Sequence, residues 1–278
     1  MNEWLARLGV GHIVAVDFDR VDVTNLPRIV GATRWDAWAF LARRKSASLR
    51  KIAKSLPKPK VHLARRVAIQ AKPNIHYDAI VGDATDEVVT NRLKDCDFLF
   101  LCSDTFQSRL IFNALGHQYL IPGTQIGVKV SANKQTGDIT ELFAASRPVI
   151  PPPGSGCLQC HELIPPSRLQ EEALTEDERR RQRYVDDAEV VQPSVITLNA
   201  LSAAPVVNDL MMMFTGLYHS DITLPHTFYF ARERQAQTVA PRVDGMCPDC
   251  SNHPLSRRAR GDRARLPCRQ SRVPFSLT

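Results

Sequence analysis

No apolar run in the chain is uninterrupted over the length of a bilayer crossing. The longest candidate, VITLNALSAAPVVNDLMMMFTGL, is broken by Asn199, Pro205, Asn208 and Asp209. The opening MNEWLARLGVG places Glu3 and Arg7 where a signal peptide needs apolar residues. A cytoplasmic protein without a membrane partner is expected. Aromatic residues make up only 7%, and no stacking pattern accompanies the basic runs, which disfavours nucleic acid as a partner. Acidic residues are absent from Ala37 to Tyr77, where eleven Lys or Arg occur. From Ser251 onward seven Arg face a single Asp, so this tail holds +6 of the formal +7. The first run reads as a solvated helical face and a long loop; the tail, almost without apolar periodicity, is expected to be disordered or loosely attached. Cysteine is missing from the whole interval between Cys160 and Cys247, which leaves no nucleophilic thiol there.

What is present points to an α/β fold. At 278 residues and 44% apolar content the chain can bury one large core or two modest ones. HIVAVDFD is a short β-branched run, PKVHLARRVAIQAK has helical spacing, and IHYDAIVG returns to strand character. DEVVTNRLKD, DFLFLCSD and TFQSRLIFNALGHQYL continue the alternation as helix, buried strand and amphipathic helix. Such alternation implies a Rossmann-like, doubly wound, mostly parallel sheet covered on both faces. Past Ile121, TQIGVKVSANKQTGDITELFAA reads as an antiparallel extension turning at NKQTGD. A helix is expected to start near Pro193, with Met211, Met212 and Met213 packed, followed by a strand at HTFYFARE. RPVIPPPGSG is a loop rather than a domain boundary.

VDFDRVDVTNLPR, residues 16 to 28, sets Asp17, Asn25 and Arg28 at the exit of the first strand. Ligands of parallel sheets sit outside the carboxyl ends of the strands, and an acid there commonly holds a nucleotide ribose. That acid lies about 20 residues past a glycine-rich turn, whereas sixteen residues precede Asp17 here. The expected G-x-G-x-x-G turn would fall ahead of Met1. Taken singly, each residue has a plainer use: Asp17 and Asp19 capping a turn, Arg28 as a surface charge, Asp104 as a helix cap. Cys157-x-x-Cys160 and Cys247-x-x-Cys250 form two chelating knuckles, the donor set of a structural Zn²⁺. Redox dithiols are the competing reading, disfavoured in a cytosolic chain that also has Cys96, Cys102 and Cys268.

LARLGVGHIVAVDFDRVDVTNLPR, then KPKV at 58–61, LCSDTFQSR at 101–109, GCLQC and MCPDC follow one another in an order that resembles the ThiF/MoeB/HesA family of ubiquitin-activating-type adenylyltransferases. The resemblance implies an adenylation domain over 1–250, with a basic insertion at about 34–57 and a crossover segment at about 161–192, followed by the tail 251–278. It implies that Asp17 binds the ribose, that Asn25, Arg28 and Lys60 meet the ATP phosphates, that Asp104 holds Mg²⁺, and that Arg109, a basic position in the next helix, belongs to the cofactor-binding set. Arg28, Lys60 and Asp104 would then be the catalytic set. Such chemistry needs fixed cations and Mg²⁺ where charge builds on the α-phosphate and on departing pyrophosphate. The implied reaction adenylates the C-terminal glycine of a ubiquitin-like or sulfur-carrier protein and releases pyrophosphate. An external thiol or sulfur donor would be the acceptor, and the family implies a homodimer. The alternatives are a zinc-stabilised, catalytically inactive scaffold that binds a ubiquitin-like partner and, more distantly, a zinc-containing nucleic-acid binder.

Overall fold

A computed structural model describes residues 1–38, 56–133, 136–151, 156–173, 195–218, 224–240 and 242–270. Most of the insertion expected at 34–57, most of the crossover at 161–192 and two residues of the NKQTGD turn lie outside the described residues. The elements run α1 (Asn2–Arg7), β1 (His12–Val16), α2 (Lys60–Ala71), β2 (His76–Ile80), α3 (Glu87–Arg92), β3 (Leu99–Leu101), α4 (Phe106–Tyr119), β4 (Gly123–Ala132), β5 (Ile139–Val149), α5 (Pro166–Ala173), α6 (Ile196–Thr215), β6 (His226–Phe230) and β7 (Gln235–Val239).

The strands form a mixed α/β fold with two sheets. β1 and β2 pair in parallel, from His12 opposite His76 to Val16 opposite Ile80. β3 to β7 form a second sheet in chain order, with β3 and β4 parallel and every later pair antiparallel. The expectation of one mostly parallel sheet is corrected in this respect. The β4–β5 hairpin is long, running from Gly123 opposite Val149 to Ala132 opposite Ile139, and its register carries β6 and β7 antiparallel. Strand β3 pairs with β4 alone; among the described residues no ladder joins it to β1. Packing does so instead. Phe100 of β3 lies against the cluster of Leu5, Ile13, Ala68, Ile75, Tyr77 and Val207, and also against Ile126, Ala203 and Val206.

Helix α4 organises the main core. Thr105 caps it, its hydroxyl accepting from the Ser108 N–H, and Leu120 at φ 60° ends it. Its Ile111, Phe112, Ala114 and Leu115 fall on one face and bury against Leu99, Leu101, Ile121, Val149, Leu158, Ile164 and Leu266. Strand β4 can press close to β3 only because its first residue lacks a side chain: a Cβ on Gly123 would lie 2.6 Å from the Leu99 carbonyl oxygen and 2.8 Å from the Phe112 ring.

Two further expectations change. The tail is docked, not loose, across its described part, residues 251–270. Leu266 is buried in the main core, Gln118 donates to the carbonyls of Gly261 and Ala264 at 2.8 and 2.6 Å, and the backbone of Arg269 bonds Thr85 and Glu87. Arginines that look like solvated charge in sequence are spent on these contacts, Arg257 on Asp249 above all (2.9 Å). Helix α6, with Val195 as its N-cap, starts beyond Pro193. Its length and a mean hydropathy of 1.2 would suffice for a membrane crossing despite Asn199, Asn208 and Asp209. In the fold it lies on β4 and β5 and buries Leu198, Ala203, Val206 and Val207.

A charged rim at the strand ends and a four-cysteine knuckle

The carboxyl end of β1 leads directly into Asp17, whose Oδ1 accepts the Asp19 N–H at 2.8 Å. Burial raises the Asp17 carboxyl, opposed by that hydrogen bond and by the nearby Lys60 ammonium. Lys60 opens α2; its Nζ pairs with Asp19 Oδ2 at 2.5 Å and its N–H donates to the Asp19 carbonyl at 2.9 Å. Asp19, in sequence only a turn cap, is thus the partner that fixes Lys60. Asn25 is buried inside its own turn. Its Oδ1 accepts from the Asp22 N–H while the Asp22 side chain accepts from within the turn, a reciprocal cap. The turn that carries Arg28 is held near α2, because its neighbours Leu26 and Ile29 pack on Val21, Ala37, Leu63 and Val67. The Arg28 guanidinium has no hydrogen-bond partner among the described residues and feels the Asp22 carboxylate.

The end of β3 reaches the same rim. The Cys102 thiol senses the Asp17 carboxylate, and two residues on, exposed Asp104 precedes the cap of α4. Arg109, in the second turn of α4, senses Asp104 and Glu172; burial lowers its pKa. It lies over the Phe106 ring at 4.9 Å and donates to the Leu163 carbonyl at 3.3 Å, while its Nε is buried without a partner. The Glu172 carboxylate of α5 accepts from the N–H groups of Phe106 and Gln107 at 2.8 Å each, at the positive end of α4. The fold therefore gathers Asp17 with Lys60 and sets Asp104 beside Arg109. Asn25 and Arg28 stand apart on the α2 side, and no described contact joins Arg28 to Asp104.

Next to α4, Cys157, Cys160, Cys247 and Cys250 bring their four sulfurs within 4.8 Å of one another. The closest pairs are 3.4 to 3.6 Å apart, near the edge of about 3.8 Å that Zn–S bonds of about 2.3 Å give a tetrahedron. Hydrogen bonds from Cys157 lower the Cys160 and Cys247 thiols, while Cys157 itself is raised. Two thiols poised toward thiolate, mostly buried and with no bridge formed, fit Zn²⁺ as a closed structural site.

The model of the ThiF family matches residues 1–252. The chain belongs to the ThiF family. Among solved structures, this ThiF-family chain resembles Escherichia coli MccB with ATP at 16% identity and a TM-score of 0.60, covering 90% of this chain and 62% of MccB. MccB with MccA-N7isoASN gives 16%, 0.64, and 90% and 63%. PaaA gives 14%, 0.56, and 86% and 68%. The chain thus spans under two thirds of MccB's length, and at these identities the likeness is one of fold. No curated protein matches it.

Several residues of the ThiF chain's site carry no motif. Asn113 of α4, fully buried, accepts from the Leu158 N–H at 3.0 Å and donates to Asp249 Oδ2 at 2.6 Å, tying both knuckles to the helix. His117, buried one turn later, leaves both ring nitrogens unpartnered, and burial lowers its pKa. Gly156 has φ +69°, and a Cβ there would lie 2.4 Å from the Arg242 carbonyl oxygen, so only glycine leads this tightly into Cys157. Arg147 on β5 faces Gln125 across the β4–β5 ladder. A lone cation in the otherwise apolar stretch LFAASRPV was the one signal that could have marked it.

Proposed function

We propose that the chain adenylates a carboxylate of a peptide or carrier protein with ATP, releasing pyrophosphate, and that the carboxylate belongs to the C-terminal glycine of a ubiquitin-like or sulfur-carrier protein. What supports this reading is the pairing of Asp17 with Lys60 at the end of β1, with Asp104 following β3, in a ThiF-family chain. Asp17 would accept from the ribose hydroxyls. Lys60, held by Asp19, and Arg28, without a hydrogen-bond partner among the described residues, would meet the phosphates. Asp104 would hold Mg²⁺, which when bound neutralises charge on the phosphates. Binding both substrates here supplies proximity, and no covalent protein group is required. With no cysteine from 161 to 246, the activated carboxylate goes to an external thiol or sulfur donor. Zn²⁺ at the four cysteines is structural, and a homodimer is the proposed assembly.

A second reading, an inactive scaffold that binds a ubiquitin-like partner, is favoured by one observation: Asn25 uses its side chain inside its own turn. Pyrophosphate–ATP exchange in the presence of candidate carriers separates the two. Carrier-dependent exchange supports the enzyme; carrier binding without exchange supports the scaffold.

A further inference from the structure

Arg109 lies early in α4, just after β3, and Arg147 lies two strands from β3 in the same sheet, opposite Gln125; the two guanidiniums repel each other, and neither has a carboxylate within ion-pair distance among the described residues. Arg147 donates to Gln125 Oε1 at 2.6 Å and lies over the Phe228 ring at 5.1 Å. Gln125 is itself buried, its amide donating to the Ile126 carbonyl. Burial first, and the neighbouring Arg109 second, draw Arg147 down to about 10. Two guanidiniums that are partly desolvated, mutually repelling and held in fixed orientation by rings and an amide make a preformed site for an oxyanion.

Its place along the rim says which oxyanion. Asp17 and Lys60 stand at β1, Asp104 follows β3, Gln125 lies beside Leu101 on β4, and Arg147 is opposite Gln125 on β5. Arg147 is thus separated from the proposed phosphate cations, Lys60 and Arg28, by β3, which Asp104 and then Arg109 follow. In-line displacement needs the attacking and leaving oxygens on opposite sides of phosphorus. Building on the adenylation reading, we infer that Arg147 and Arg109 bind and orient the carboxylate that is to be adenylated. A carboxylate oxygen forms the new bond to the α-phosphorus, the bond to the bridging oxygen breaks, and pyrophosphate leaves with that electron pair. No proton is moved, so permanently charged guanidiniums suit the task. Arg147 is a substrate-binding residue in this account.

The test uses the full zinc-loaded chain labelled with ¹⁵N-arginine, the Nε–Hε resonances of Arg109 and Arg147 being assigned from R109K and R147K. The probes are N-acetyl-glycylglycine, its C-terminal amide, and inorganic pyrophosphate. The acid should shift both resonances saturably and the amide should not, while Arg147→Gln should weaken acid binding by about tenfold or more at unchanged metal content. Equal shifts with the amide, or undiminished binding in the Gln variant, overturn the inference. So does movement of both resonances by pyrophosphate in place of the acid, which would make the pair a leaving-group site. Should Arg147→Gln fail to fold, the wild-type titrations decide alone. Arg147-dependent acid binding without pyrophosphate exchange under any carrier would sink the adenylation reading and leave the carboxylate site standing.

Discussion

Replacing Asn113 with Leu tests how firmly the metal knuckle is tied to the core. The two side chains are close in size, so little cavity arises and the effect isolates the polar contacts. The Leu158 N–H loses its acceptor in a buried turn, which costs about 1–3 kcal/mol, and the bond to the Asp249 carboxylate, worth about 1.5–3 kcal/mol, goes with it. Asp249 keeps Arg257 at 2.9 Å, which softens the second loss. A net destabilisation of about 3–4 kcal/mol follows, and with m about 3 kcal/mol/M the urea midpoint should fall by about 1 M with m unchanged. The same variant should release Zn²⁺ to a colorimetric chelator faster. In metal-depleted protein the cost of the substitution should shrink, because the Leu158 turn is no longer pinned. A midpoint shift worth less than about 1 kcal/mol, or one equal with and without metal, would refute the proposed tie between α4 and the knuckle.

Cys157→Ser should remove about one Zn²⁺ per chain and lower stability, as read by elemental analysis and urea melts; unchanged metal content would end the four-thiolate assignment. Asp104→Ala should slow Mg²⁺-dependent pyrophosphate exchange by about 10²–10³-fold with the circular dichroism unaltered, and full exchange would remove Asp104 from the site. His226 is held neutral, its pKa driven down to about 3 by burial and by His161 and Arg147. The unfolded imidazole, at about 6.5, takes up its proton first as pH falls, so the folded state loses stability below that value. From pH 7 to 5.5 this group should account for about 1 kcal/mol of loss, and His226→Gln should flatten that part of the profile. An identical pH dependence in the variant would show that another group sets it.

The α/β alternation, the antiparallel hairpin and the paired cysteine knuckles were legible because each rests on local spacing. The break between the β1–β2 pair and the second sheet was not, since periodicity marks a strand without saying which neighbour it bonds. The tail was misread for a related reason: Leu266 is one apolar residue among arginines, yet it lands in the central core, and Arg257 finds Asp249 only through the turn between them. In the rim, Lys60 could be singled out by its motif, but its hold on Asp19 depends on a strand and a helix meeting across 41 positions. Arg147 carried only the signal of a lone cation in its strand, because nothing in a strand pattern tells that its partner across the ladder is Gln125 and not an acid.

The return of residues 251–270 to the middle of the molecule also bears on how the chain matures. Leu99 and Leu115 wait for Leu266 to complete their shell, and Thr85 waits for Arg269. During synthesis the centre therefore stays open until Leu266 has left the ribosome tunnel, and long-separated contacts of this kind close slowly. A nascent chain stalled at the second cysteine knuckle would expose that unfinished shell to chaperones and proteases.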